Sequence, residues 1–315
     1  MTISYLTKKV INHFIYKTLK DHVNITKTLL INFAFLPFKQ AVKLPIVIYG
    51  PCKIGSIMGE IKFLKPVRRG MLKIGLTHPI RSYYSKSFIS ISGTIEVGDE
   101  TILRRGIKLE VTRHGHFTLG NYTSVGHNCT IICQHNIRIG EACSIGNNSY
   151  FIDSDFHYMI NTNMRKVNPN YKPIVIGSNC WIGGWSTIKK GTHLPNGTIV
   201  AGPSMVGKNF VGVIPECSMI GGSPAKLLVE GVRRVNNTKS ERILINTFEE
   251  KGEPYYILPD DVDIDTFCMP NCEKNGENCP PPLELTDTQL VISLNILFSS
   301  VRPDSLGWRH VLHAA

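Results

Sequence analysis

The stretch "DSDFH" at residues 153–157 carries the densest set of groups able to move a proton. His157 stands two residues after Asp155 and four after Asp153. An imidazole has a pKa of about 6.5, so near neutral pH it takes a proton from a hydroxyl and later returns it. A carboxylate beside it fixes the tautomer and stabilises the imidazolium. If the segment is extended, residues 153, 155 and 157 share one face; an intervening turn separates them. The competing reading is a capping histidine flanked by solvated aspartates.

The elements that hold this stretch repeat every six residues. The frame reads "LGNYTS VGHNCT IICQHN" from Leu119 and, after a two-residue insertion, "IGEACS IGNNSY FIDSDF" from Ile139. It resumes over residues 176–211 and closes with "IPECSM IGGSPA" from Ile214. Each hexad opens on a large apolar residue, eight have glycine second, and the fifth place is usually small (Thr123, Cys129, Cys143, Ser149). The fifth residue and the next first residue lie two apart and face the same side of a strand. Each hexad therefore predicts one short strand, with Gly and polar residues turning the chain where positive φ is cheap. Three such strands close a triangular coil, and stacked coils pair in parallel. A β-sandwich predicts longer alternation and irregular spacing. A helix predicts a period of 3.6 and less glycine.

His157 falls where the next apolar opener belongs, and Asp155 occupies a small-residue place. Two breaks of a strong local rule, followed by the polar insertion "YMINTNMRKVNPNYKP" (158–173), mark a functional site. His114, His116, His127, His135 and His193 fall at turn-like or outward places.

The composition of the 315-residue chain is that of a globular protein, 42 % hydrophobic and 19 % charged, with a net charge of +11. Residues 1–70 carry net +10 and residues 236–315 net −7. The basic N-terminal region suits an anionic membrane face or an acidic polymer, or is simply a solvated surface. The longest apolar run, "LLINFAFLPF" at 29–38, is too short to span a bilayer. No secretory pattern opens the chain, so a cytoplasmic location is expected. Cys129, Cys143, Cys180 and Cys217 read as small core residues. "CMPNC" at 268–272 with Cys279 fits no standard zinc spacing, so no metal is expected. No phosphate-cradling glycine loop is present.

The segments "DSDFH", "IGSNCWIGGWSTIKKG" (176–191) and "IPECSMIGGSPAKLL" (214–228) together resemble the hexapeptide-repeat acyltransferases, whose fold is a left-handed parallel β-helix. "LPFKQAVKLPI" at 36–46 resembles the N-terminal arm of the sugar and polysaccharide O-acetyltransferases of that family. The resemblance covers roughly residues 95–235. It implies a basic N-terminal arm over 1–94, a β-helix acyltransferase domain over 95–235 with a loop at 158–173, and an acidic extension over 236–315.

The same resemblance implies transfer of an acetyl group from acetyl-CoA to a sugar hydroxyl in capsule, O-antigen or exopolysaccharide synthesis. His157 would be the general base, Asp155 or else Asp153 would orient it or the acceptor, and the backbone amide of Gly184 would hold the oxyanion. Trp181, Gly202, Ser204, Gly207, Lys208 and Lys226 would line the coenzyme site. Pro203 stands at a frequent glycine and removes one N–H donor. Family members are homotrimers with sites between subunits, and the acceptor glycan can be lipid-linked; no nucleic-acid partner is expected. The alternatives are N- or O-acetylation of an amino sugar or antibiotic, and a non-catalytic scaffold. Zinc carbonic anhydrases on this fold place two histidines five residues apart, and no pair here has that spacing.

At the ends, Tyr5, Val10, Ile11, Phe14, Ile15 and Leu19 have helical apolar spacing within residues 4–38, fitting a helix on a membrane or on the β-helix. "TDTQLVISLNILFSS" (286–300) predicts a helix starting at Thr286 or Asp287.

Overall fold

A computed structural model describes residues 22–77 and 85–269. Helix-like spacing at Tyr5–Leu19, the helix expected over 286–300, and Cys272 and Cys279 lie outside these residues.

The chain winds into a three-sided parallel β-helix. The first face has nine strands, from Ile46–Ile48 to Ala225–Val229; the second has seven, from Cys52–Ile57 to Met205–Val206; the third has six, from Glu60–Phe63 to His193–Leu194. All neighbours within these faces are parallel except the last pair of the first face, Met219–Gly222 with Ala225–Val229. The register follows the six-residue frame. Leu109, Ile131, Phe151, Ile188 and Val206 stack on the second face. Leu103, Val125, Ile145, Ile182 and Val200 stack on the first. These openers are buried and form one continuous core.

The fifth-place residues also point inward: Thr123, Cys129, Cys143, Thr192, Thr198 and Ser218 are fully buried. Their polar atoms turn to carbonyls at the corners, as in Thr123 Oγ1 to Gly140 O at 2.7 Å and Thr198 Oγ1 to Pro195 O at 2.7 Å. That pairing is why a small hydroxyl is tolerated in an apolar prism. The buried thiols behave alike: burial pushes Cys129 up to about 11 and Cys133 up to about 12, so both stay protonated. Cys217 differs from the core position expected of it. It sits fourth in its hexad, at a turn with φ 54°, and is only half-buried.

Turn chemistry also departs from expectation. Positive φ falls on the fourth place, at Tyr122, Asn128, Asn148, Asn179 and Trp185. The second-place glycines serve another need. A Cβ at Gly146 would lie 2.3 Å from Gly184 N, and one at Gly120 2.5 Å from Gly140 C. Glycine is required there because successive turns lie backbone on backbone.

The stack begins at Ile46, well before position 95. Residues 46–63 and 72–97 contribute strands to every face. Insertions between these strands destroy the six-residue beat, so the sequence hides them. The helix Ile25–Phe35, capped by Asn24, closes the first coil. Asn32 Nδ2 donates to Ile46 O at 2.7 Å and its Oδ1 accepts from Ile46 N at 3.1 Å, while Thr28 Oγ1 accepts from Ile48 N at 3.0 Å. Side chains thus satisfy a strand edge that would otherwise invite another chain. Among the described residues no helix is long and apolar enough to cross a membrane.

Residues 230–269 return along the coils instead of leaving them. Val232 N donates to Cys217 O at 2.8 Å, and Asn236 N to Cys268 O at 2.8 Å. Helices follow at Thr238–Ile245 and Ile264–Cys268.

Phe151 is fully buried between Ile131 and Ile188. Phe151→Ala is expected to lower stability by about 3–5 kcal/mol, read as an earlier midpoint in urea unfolding.

Candidate active site

The corner between the second and third faces carries the "DSDFH" segment. The strand Tyr150–Ile152 ends there, and the chain leaves the coil as a loop. The two limbs pair at the root: Asp155 N donates to Asn170 O at 2.8 Å and Lys172 N to Asp153 O at 3.0 Å. Ser154 and Tyr171 form an antiparallel bridge, and the tip is a hairpin of Ile160–Asn161 with Lys166–Val167. Tyr171 stacks on His135 with ring centroids 3.5 Å apart.

The three residues of the motif have separate roles. Asp153 is fully buried, and its carboxylate accepts from Gln134 N at 2.8 Å, His135 N at 2.7 Å and Asn136 N at 2.6 Å. It holds the turn of the preceding coil, so the expectation that it orients His157 is corrected. Asp155 pairs with Lys190 Nζ at 2.5 Å, and the same ammonium donates to Asn170 O at 3.2 Å. Lys190, from the next coil, therefore clamps both limbs of the loop. Phe156 turns the chain with φ 62°, and the extended face that would align residues 153, 155 and 157 is broken. His157 follows, exposed, with no hydrogen bond to any described residue.

Below Asp155 on this corner lies a groove of about 330 Å³, lined by Asp155, Lys189, Lys190, Met205, Gly207 and Lys208, with Pro224 and Ala225. Gly207 and Lys208 thus share a surface with the motif. The Lys208 ammonium sits 4.9 Å from the centroid of the Phe210 ring. Lys226 is exposed on the last strand, opposite Gly221.

Gly184 sits elsewhere, at the corner between the first and second faces. Gly183 N donates to Val200 O at 2.7 Å and Trp185 N to Asn147 O at 2.9 Å. The amide between them, Gly184 N–H, has no acceptor among the described residues. A backbone donor without a partner is what oxyanion stabilisation requires. Gly202 lies one coil on, so close that a Cβ there would meet Gly184 O at 2.3 Å. Ser204 is buried; its Oγ accepts from Gly222 N at 2.9 Å and donates to Ala201 O. Its hydroxyl is committed inside the coil, which corrects its expected place in the coenzyme groove. Trp181, on the adjoining strand, is 42 % exposed, and the Arg234 guanidinium lies 5.5 Å from its ring centroid.

One chain therefore brings Asp155, His157, Gly207 and Lys208 to one corner and Trp181, Gly184 and Gly202 toward another, across the second face. Sequence reasoning missed two residues here. Trp185, 71 % exposed at φ 64°, follows the free amide. A bulky residue at a place that favours Asn or Gly was its visible signal. Lys190 gave none, since lysine is ordinary at a turn. His127, expected outward, is buried, and its backbone N–H donates to Asn147 Oδ1 at 2.9 Å.

No protein-family model matches the chain. It is 25 % identical over 185 residues to the putative lipopolysaccharide biosynthesis O-acetyl transferase WbbJ of Escherichia coli K12, covering 56 % of this chain and 92 % of WbbJ. It is 28 % identical over 137 residues to the putative colanic acid biosynthesis acetyltransferase WcaF of the same strain, covering 44 % of this chain and 70 % of WcaF. The crystal structure of the polySia-specific acetyltransferase NeuO aligns with this chain with a TM-score of 0.39 and 19 % identity, over 65 % of this chain and 98 % of NeuO.

The two aspartates of the motif should separate experimentally. Asp153→Asn puts an amide against three backbone donors and is expected to cost about 2–3 kcal/mol in urea unfolding. Asp155→Asn, at a partly exposed pair, is expected to cost less than about 1 kcal/mol.

Proposed function

We propose that the chain transfers an acetyl group from acetyl-CoA to a hydroxyl of a cell-surface glycan, with His157 as general base. The observation that carries this reading is the pair of uncommitted groups: an exposed imidazole on a clamped loop and an unpaired amide at Gly184. Relatives that act in lipopolysaccharide and colanic acid biosynthesis support the acceptor class.

The imidazole takes the proton of the acceptor hydroxyl as its oxygen bonds to the thioester carbon. The carbonyl oxygen becomes an oxyanion, held by the Gly184 N–H. The C–S bond then breaks, and the imidazolium returns the proton to the departing thiolate. The groove beside Lys208 and the exposed Trp181 fit an anionic, extended donor.

His157 and Gly184 lie on different corners of one chain. A homotrimer that sets the His157 corner of one subunit against the Gly184 corner of the next completes the site. The exposed apolar side chains of the loop, Tyr158, Met159, Ile160 and Met164, supply surface for that contact.

Peripheral membrane contact belongs to the same reading, because glycan acceptors can be lipid-linked. The helical cap exposes Leu30, Phe33, Phe38 and Val42 beside Lys39 and Lys43, and residues 22–59 contain no acidic side chain. Binding to anionic vesicles but not to neutral ones is expected, and Phe33→Ser with Phe38→Ser should reduce it; equal binding to both vesicles removes the electrostatic part.

His157→Ala is expected to lower kcat by about 10²–10⁴-fold with coenzyme A affinity retained, measured as thiol release with a panel of glycans. Equal turnover by wild type and variant on an accepted glycan overturns the assignment.

A further inference from the structure

The acidic C-terminal extension has no part in the chemistry above, yet it places one cation at the donor side. Residues 232–237 run back along the coils, held by Val232 N to Cys217 O and Asn236 N to Cys268 O, both 2.8 Å. Arg233 is tied to Asp265 by an ion pair, and Asn237 caps the following helix through Lys239 N and Ser240 N. Arg234, next to this tether, is half-buried and lies over Trp181 at 5.5 Å. Among the described residues it forms no ion pair.

A guanidinium on an indole face is favourable, and it leaves the planar fork of N–H donors without a hydrogen-bond acceptor among the described residues. Burial lowers the pKa of Arg234 from its ordinary value, against a smaller opposing pull from Glu241. The charge is thus held partly desolvated with no ion-paired carboxylate, where a bound anion gains most. The ring beneath it is 42 % exposed and opens the strand Trp181–Ile182 that leads to the Gly184 corner.

We propose that Arg234 and Trp181 form an oxyanion-binding subsite at the donor side of the active site, taking a phosphate or carboxylate, with the C-terminal extension present to deliver the arginine. This rests on the reading of Trp181 as part of the donor groove. Two sources share the chemistry: a phosphate of coenzyme A, or an acidic group on the acceptor glycan.

The test uses the full chain as wild type, Arg234→Lys and Arg234→Gln. Calorimetry measures binding of coenzyme A and of uncharged pantetheine, and kinetics compare a neutral glycan with a uronate-bearing one. If the anion is the donor's, Arg234→Gln weakens coenzyme A about tenfold, Arg234→Lys weakens it less, and pantetheine is unchanged. If it is the acceptor's, coenzyme A is unchanged and KM rises for the uronate glycan alone; the subsite stands. If Arg234→Gln moves neither, the arginine only fastens the extension and the proposal is overturned. A wild-type chain that binds neither coenzyme A nor pantetheine overturns the donor-groove reading itself, a different result from any of these.

Discussion

Backbone lying on backbone at the corners is the constraint from which the rest follows. Successive turns approach so closely that a Cβ at Gly146 would fall 2.3 Å from Gly184 N. This contact keeps the coils in step, so that first-place residues stack in columns and fifth-place residues meet corner carbonyls. It also governs the chemistry. Each corner amide that faces the next coil finds an acceptor there, as Gly183 N finds Val200 O. Third-place amides such as His127 N and Ser178 N are taken by side-chain oxygens of the next coil, Asn147 Oδ1 and Asn196 Oδ1; Gly184 is followed by Gly202, which has none, and its N–H is left over. On the proposed reading, the preorganised oxyanion donor is a property of the repeat itself.

A stack of this kind is rigid wherever the beat holds, so mobile or adaptable chemistry has to sit where it fails. The failure at residues 153–157 is built, not merely permitted. Asp153 is buried and binds three amides of the preceding coil, which fixes the exit angle of the chain. Lys190 from the next coil then holds both limbs of the loop. The loop that carries His157 is thereby anchored from the coil before and the coil after, while the imidazole stays uncommitted. Charge separates these two anchors: the buried carboxylate is stabilised by hydrogen bonds to amides, and the half-exposed pair by a counter-ion.

The core was legible because its cause is periodic. Columns such as Ile131, Phe151 and Ile188 are read directly from the six-residue frame. The coils over 46–97 were not legible, since insertions between their strands remove the phase without removing the strands. Turn chemistry was half legible. Glycine and asparagine do mark the corners, but the sequence does not say which supplies positive φ and which only omits a Cβ; Gly146 and Asn148 do these two things two residues apart. At the site, His157 showed itself by breaking the frame. Asp153 and Asp155 look alike in sequence, and their different roles arise from long-range partners, Gln134–Asn136 and Lys190. Such partners come from other coils, which no local pattern records.

On the proposed reading, the geometry calls for assembly. Within one chain, the corner bearing His157 and the corner bearing Gly184 are held apart by the strands of the second face, whose length the hexad fixes. No adjustment of the loop root brings them together, because Asp153 and Lys190 pin it on both sides. A thioester carbon must nevertheless meet both a base and an oxyanion donor within hydrogen-bonding reach. With the roles proposed for His157 and Gly184, the rigidity that makes the corner amide dependable keeps a single prism from completing the site. Setting the corners of neighbouring copies against each other satisfies both demands while covering the apolar loop residues that a lone chain leaves in water.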